Sequence, residues 1–167
     1  SDLDHSWSTP CCAAMVSSRD ESGQPNIISV AWFMRASLEP PIFAVALGKK
    51  SLSCESIIAS GEFVLAIPGQ SLAREFMYCG THSGTEVDKF DTCGLTALDG
   101  QHVRAPLISE CLSNLECRVI AEQDAGDHRV FCGQVLASWS AEQDGEPLLI
   151  VGERDGYHLV HEESGFR

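Results

Sequence analysis

Residues 26–53 read NIISVAWFMRASLEPPIFAVALGKKSLS, and this stretch decides the fold. Its first eleven residues, 26–36, are dense in β-branched and aromatic side chains and predict one long strand. Glu39-Pro40-Pro41 then imposes an extended break, since proline fixes its own φ and disfavours helical geometry in the residue before it. Residues 42–47 are a second strand, apolar enough to be covered on both faces. At its end Lys49-Lys50-Ser51-Leu52-Ser53 runs into a helix over Leu52–Ser60, with Ser51 as its cap and Gly61 as its stop.

Outward from that stretch the pattern repeats. Residues 11–18 predict a strand and residues 20–25, DESGQP, the turn that ends it. Residues 63–67 predict another strand. A second helix is expected over 71–79, with Leu72, Phe76 and Cys79 on one face and Gly80 as its stop. Residues 114–122 and 128–140 form a hairpin across 123–127, and short apolar runs at 148–151 and 157–160 follow. No repeat, low-complexity tract or linker is visible. At 167 residues the chain is read as one domain over 1–167. Many short strands with two inserted helices predict a mainly β, antiparallel barrel; a parallel sheet needs helices throughout.

Charge and composition exclude several classes. With 24 acidic against 11 basic residues the net charge is −13, which opposes nucleic acid as a partner. The longest apolar runs fall far short of the roughly 20 residues of a membrane span. The first ten residues, SDLDHSWSTP, hold no basic stretch followed by an apolar one, so no secretory leader is expected. The eight cysteines contain no C-x-x-C, which argues against zinc ribbons and dithiol redox motifs. They read as mostly structural free thiols in a reducing, cytoplasmic setting. There is no G-x-S-x-G, no G-x-x-x-x-G-K-[ST] and no G-x-G-x-x-G. His158-x-x-His161 and Cys79-x-x-His82 lack further ligands, so no metal is expected.

All three lysines, Lys49, Lys50 and Lys89, lie in one central quarter of the chain. Segment 49–53 brings two cations, two hydroxyls and the free N–H groups of a helix start together, which is the donor set that holds a phosphate. A solvated lysine pair before a serine-capped helix reads equally well from the residues alone.

The order and spacing of a set of landmarks carries the argument further. They are Gly23, Asn26, Pro40-Pro41, Lys50-Ser51, Gly61-Glu62-Phe63, Asp88-Lys89-Phe90, Ala105-Pro106, Leu115-Glu116-Cys117 and Gly126-Asp127-His128, with Gly133 and Val135 following. In this arrangement the chain, from about Pro10 to Tyr157, resembles the flavin-reductase-like, FMN-binding split-barrel family, the flavoredoxin branch above all. The resemblance implies a six-stranded antiparallel Greek-key barrel with inserted helices, dimerising with FMN near the subunit interface. It implies that Ser29, Val30, Ala31 and Trp32 line the ribityl and ring groups, with Asn26 at the entry to that strand also in the cofactor site. Ser51 and Ser53 would receive the phosphate, helped by Lys49 or Lys50. Lys89 would lie at the phosphate or ring edge. His128 would sit beside flavin and reductant as the catalytic candidate. Where monooxygenase reductases of the family carry Thr-Ala-Ser-Ser, this chain has Ser29-Val30-Ala31-Trp32, which favours a tightly held flavin; Trp32 read without the resemblance is a core residue. Three functions follow as expectations. One is an NAD(P)H:FMN oxidoreductase, another a flavoredoxin-like electron carrier between protein partners, and the third a flavin-binding module without turnover.

Overall fold

A computed structural model describes residues 9–142, 145–154 and 157–160. Its centre is one antiparallel sheet. In chain order the sheet comprises β2 (Ala14–Arg19), β3 (Pro25–Val30), β4 (Phe33–Ser37), β5 (Ile42–Gly48), β6 (Glu62–Ile67), β9 (Ser113–Ala125) and β10 (His128–Ser140). The spatial order is β3-β2-β6-β9-β10-β5-β4. The two edge strands, β3 and β4, are consecutive in the chain and only Ala31 and Trp32 lie between them. The sheet therefore curls until its edges meet; the Trp32 carbonyl accepts the Ala46 N–H at 2.9 Å, extending the β4–β5 ladder up to the break. This is the expected mainly β split barrel. The run expected as one strand over 26–36 is broken at Ala31-Trp32, because a single straight strand cannot belong to both edges; that break brings the count of sheet segments to seven.

Two larger apolar cores, with a smaller one around Val64, Val103, Ala105 and Leu107, explain why the strands are so uniformly hydrophobic. On β2, Ala14 and Val16 join Val45, Leu47, Phe63, Leu65 and Phe131 in one core. Met15, between them, points to the opposite side and packs with Ile27, Phe76, Ile108 and Ile150. Gly133 of β10 faces Phe63 so closely that a Cβ there would lie 2.5 Å from Phe63 Cζ. The β9–β10 hairpin turns through only Gly126 and Asp127, with Gly126 at φ +61°, so β9 runs three residues further into the turn than expected while β10 spans the expected 128–140.

Among the described residues, three helices pack on the barrel. The first, α1 (Leu52–Ser60), follows β5 as expected, is capped by Ser51, and ends at Gly61 in the left-handed region, φ +70°. The second, α2 (Ala73–Thr81), enters through a 3₁₀ turn at Gln70–Leu72 and runs past Gly80. Gly80 is small because a Cβ would meet Ser29 Cβ at 3.2 Å, not because the helix stops there. The third, α3 (Lys89–Cys93), is short and was not expected; Asp88 caps its start and Gly94, φ +65°, its end. The strand expected over 11–18 divides at Ala13. Its first part, β1 (Cys11–Cys12), pairs with β11 (Leu149–Arg154), which pairs in turn with β12 (Tyr157–Val160). A small ribbon of β7 (Ala97–Leu98) and β8 (Leu107–Ile108) completes the structure.

All eight cysteines are free thiols. Burial pushes the Cys111 and Cys117 thiols up to about 12, so both behave as apolar filling. No helix among the described residues is long and apolar enough to cross a membrane. His161, half of the His158–His161 pair, lies outside the described residues.

Candidate functional site

Two cavities open side by side where β3, β5 and the start of α1 converge, and the side of Ile28 is common to both. One has a volume of about 250 Å³. Its walls are Ser29–Trp32 at the end of β3, residues 46–48 at the end of β5, and His128. The break between β3 and β4 turns Trp32 out of the barrel. The indole is 51% exposed and tilts over the His128 ring, with centroids 4.6 Å apart. The core position that its apolar character suggested is therefore not where it lies. His128 is delivered by the tight hairpin, opposite Gly48 in register. Its Nδ1 is 2.7 Å from Asp127 Oδ1, and the hydrogen bond and charge of His128 hold the Asp127 carboxyl below the usual range. Ser29 Oγ donates to the Phe76 carbonyl and so ties β3 to α2.

The second cavity, about 360 Å³, lies at the start of α1. Ser51 Oγ accepts the Cys54 N–H at 3.2 Å and donates to the Gly48 carbonyl at 2.8 Å. The first intrahelical bond is Glu55 N–H to Ser51 O, so the Leu52 and Ser53 amides belong to the first turn, which has no helical acceptors. Lys50 stands exposed at the rim; Ser53 is fully buried at the back and accepts Asn26 Nδ2 at 2.9 Å. Lys89, 3% exposed, donates to the carbonyls of Ile27 and Cys79 at 2.7 Å each. Burial draws its pKa below the ordinary lysine value. Lys89 thus lies at the floor of this cavity and not among the residues around the first. Lys49 faces neither: its ammonium pairs with Asp124 Oδ2 at 3.2 Å across the hairpin.

The opposite wall, residues 79–84, was missed by the sequence reading, which ended the helix at Cys79. His82 stacks on Tyr78 at 3.8 Å with 12° between planes, one helical turn apart. Gly84 lies so close to Asn26 that a Cβ would be 2.2 Å from Asn26 Oδ1. The signal was present in Gly80 and Gly84, whose missing side chains leave room for the side chains of Ser29 and Asn26.

An electropositive helix start opening beside a pocket walled by indole and imidazole accords with a sequence comparison. Residues 8–158 match the family described as flavin reductase like domain. The chain belongs to that family. Among its relatives, an NADH-dependent FAD reductase of Streptomyces globisporus is 28% identical over 78% of this chain and 71% of its own. Among solved structures, flavoredoxin of Desulfovibrio vulgaris superposes with a TM-score of 0.80 at 28% identity, covering 95% of this chain and 91% of that one. An FMN-binding protein from Thermus thermophilus, solved with bound 1-cyclohex-2-enone, gives 0.83 at 25% identity, covering 100% and 96%. The chain is thus a flavin-reductase-like protein, a member of a flavin-binding family.

Proposed function

We propose that this flavin-reductase-like chain binds FMN as one domain and passes electrons from NAD(P)H through it. The observation that carries the reading is the pair of cavities joined along Ile28, one walled by Trp32 and His128, the other by the start of α1. Their chemistry fits the two ends of FMN. The flat ring belongs in the first, among Ser29, Val30, Ala31, Trp32 and His128. The phosphate belongs in the second, where Lys50, Ser51, the buried Ser53 and the helix-start amides supply donors and positive potential. Bound there, the flavin supplies hydride acceptance and electron release. The chain's own groups orient it: Trp32 shields a ring face, and His128, held through Nδ1 by Asp127, keeps Nε2 for a proton or a nicotinamide.

The apolar strip of Trp32, Met34 and Leu38, 51%, 62% and 75% exposed, supports a homodimer packed beside the ring cavity. Eight free thiols support a reducing, cytoplasmic site of action. A second reading, an electron carrier between protein partners, is favoured by the likeness to flavoredoxin.

Purified protein should be yellow or should take up added FMN with saturable quenching of flavin fluorescence. Steady oxidation of NADH or NADPH with added FMN selects the reductase; bound flavin that only a protein donor reduces selects the carrier. Protein that stays colourless and takes up no FMN rejects both.

A further inference from the structure

Two cysteines from different helices meet behind the cavity at the start of α1. Cys79, near the end of α2, is buried in the core that holds Met15, Ile27 and Phe76. Cys93, the last residue of α3, packs half-buried against the same core. The two thiols hydrogen-bond to one another. No C-x-x-C spacing joins them; the fold does. Lys89, anchored on the carbonyls of Ile27 and Cys79, sets its ammonium charge near both sulfurs. Glu75, one turn before Cys79 on α2, adds the opposing charge. The flavin chemistry proposed above uses neither sulfur.

Burial raises both thiols above their ordinary value, so oxidation of the pair needs peroxide in excess. The two are nevertheless unequal. Cys79 is 1% exposed, whereas a small oxidant reaches the half-buried Cys93. Their hydrogen bond holds the proton on Cys79 and eases its loss from Cys93. Cys93 is therefore the attacking sulfur and Cys79 the resolving one. We propose that Cys79 and Cys93 are a modification site at which a hydroperoxide forms a reversible disulfide, fastening α2 to α3 beside the cavity that Cys79 lines. With hydrogen peroxide, the Cys93 sulfur first bonds to one oxygen, the O–O bond breaks and water leaves, giving Cys93 sulfenic acid. The Cys79 sulfur then bonds to that of Cys93, the S–O bond breaks, and a second water leaves with the Cys79 proton. The peroxide has taken up two electrons, and a small dithiol returns them by exchange.

The test is peptide mapping of the folded protein after hydrogen peroxide, with remaining thiols alkylated before digestion with trypsin. Cleavage after Arg74, Lys89 and Arg104 puts the two sulfurs on separate peptides, 75–89 and 90–104, each holding one cysteine. The expected product is these two peptides joined, lighter by two hydrogens than their sum, and lost when dithiothreitol precedes alkylation. Cys79→Ser should stop at the Cys93 sulfenic acid, which dimedone traps; Cys93→Ser should leave Cys79 unmodified. Should either variant fail to fold, the wild-type map decides alone. Cys93 carried on to sulfinic acid without a link overturns the proposal. So does recovery of both cysteines as alkylated thiols after peroxide in excess, or a link from Cys79 to any other cysteine. Dimedone found on Cys79 of the Cys93→Ser variant overturns the order of attack. The link needs no flavin, so its failure and that of the FMN reading are distinct.

Discussion

Trp32 and His128 form an aromatic contact at the smaller cavity, and their positions have different origins. His128 is fixed by the two-residue turn and by the hydrogen bond to Asp127. Trp32 is fixed by the break that hands the chain from one edge of the sheet to the other. Replacing His128 with Ala should leave flavin bound and slow its reduction by NADH or NADPH at least about tenfold, read by anaerobic stopped-flow. Unchanged rates would reduce His128 to a prop for the indole. At this scale the sequence was legible where chemistry is local. Ser51 reads as a cap because the next residues are helical, and it is one. Choosing between Lys49 and Lys50 was not possible, since the choice depends on Asp124, seventy-five positions away, which claims Lys49. The closeness of Asn26 to Gly84 is equally silent in sequence, because the two meet from separate segments of the chain.

Among the elements, β9 carries a polar anchor. Glu116 is fully buried, and its carboxylate accepts the N–H groups of Gln101, His102 and Val103 together with Trp139 Nε1. Burial acts to raise its pKa, but these four donors outweigh it and the net shift is downward. Glu116→Gln should lower stability by about 2–3 kcal/mol in urea unfolding, since an amide N–H must then face donors. Because the folded carboxyl titrates below its unfolded value of about 4.3, its contribution is complete above that pH. The contribution is lost as pH falls through the lower folded value. Wild-type and Gln variants should therefore converge in stability on acidification, and a constant gap would contradict the anchor. Strands and α1 could be read from alternation, proline and cap residues. The extent of α2 could not: Gly80 signals a stop locally, whereas its smallness serves the contact with Ser29. The short α3 rests on Asp88 and Gly94, a cap pair too brief to show periodicity.

For the molecule as a whole, the barrel was legible as a class but its strand order was not, because pairings such as β2 with β6 and β6 with β9 join distant segments. The proposed dimer belongs to this scale. Sedimentation should give about twice the 18.1 kDa of one chain. Met34→Glu, on the exposed edge strand, should give a monomer; a wild-type monomer would remove the dimer from the proposal. The wall shared by the two cavities has a quantitative corollary. Since both compartments abut the same isoleucine, their separation is set by one half-buried side chain on the edge strand β3. On the proposed FMN reading the barrel would act as a ruler: a molecule with flat head and charged tail spaced to straddle Ile28 would fill both compartments, and a tether trimmed by one or two carbons would forfeit one end or the other.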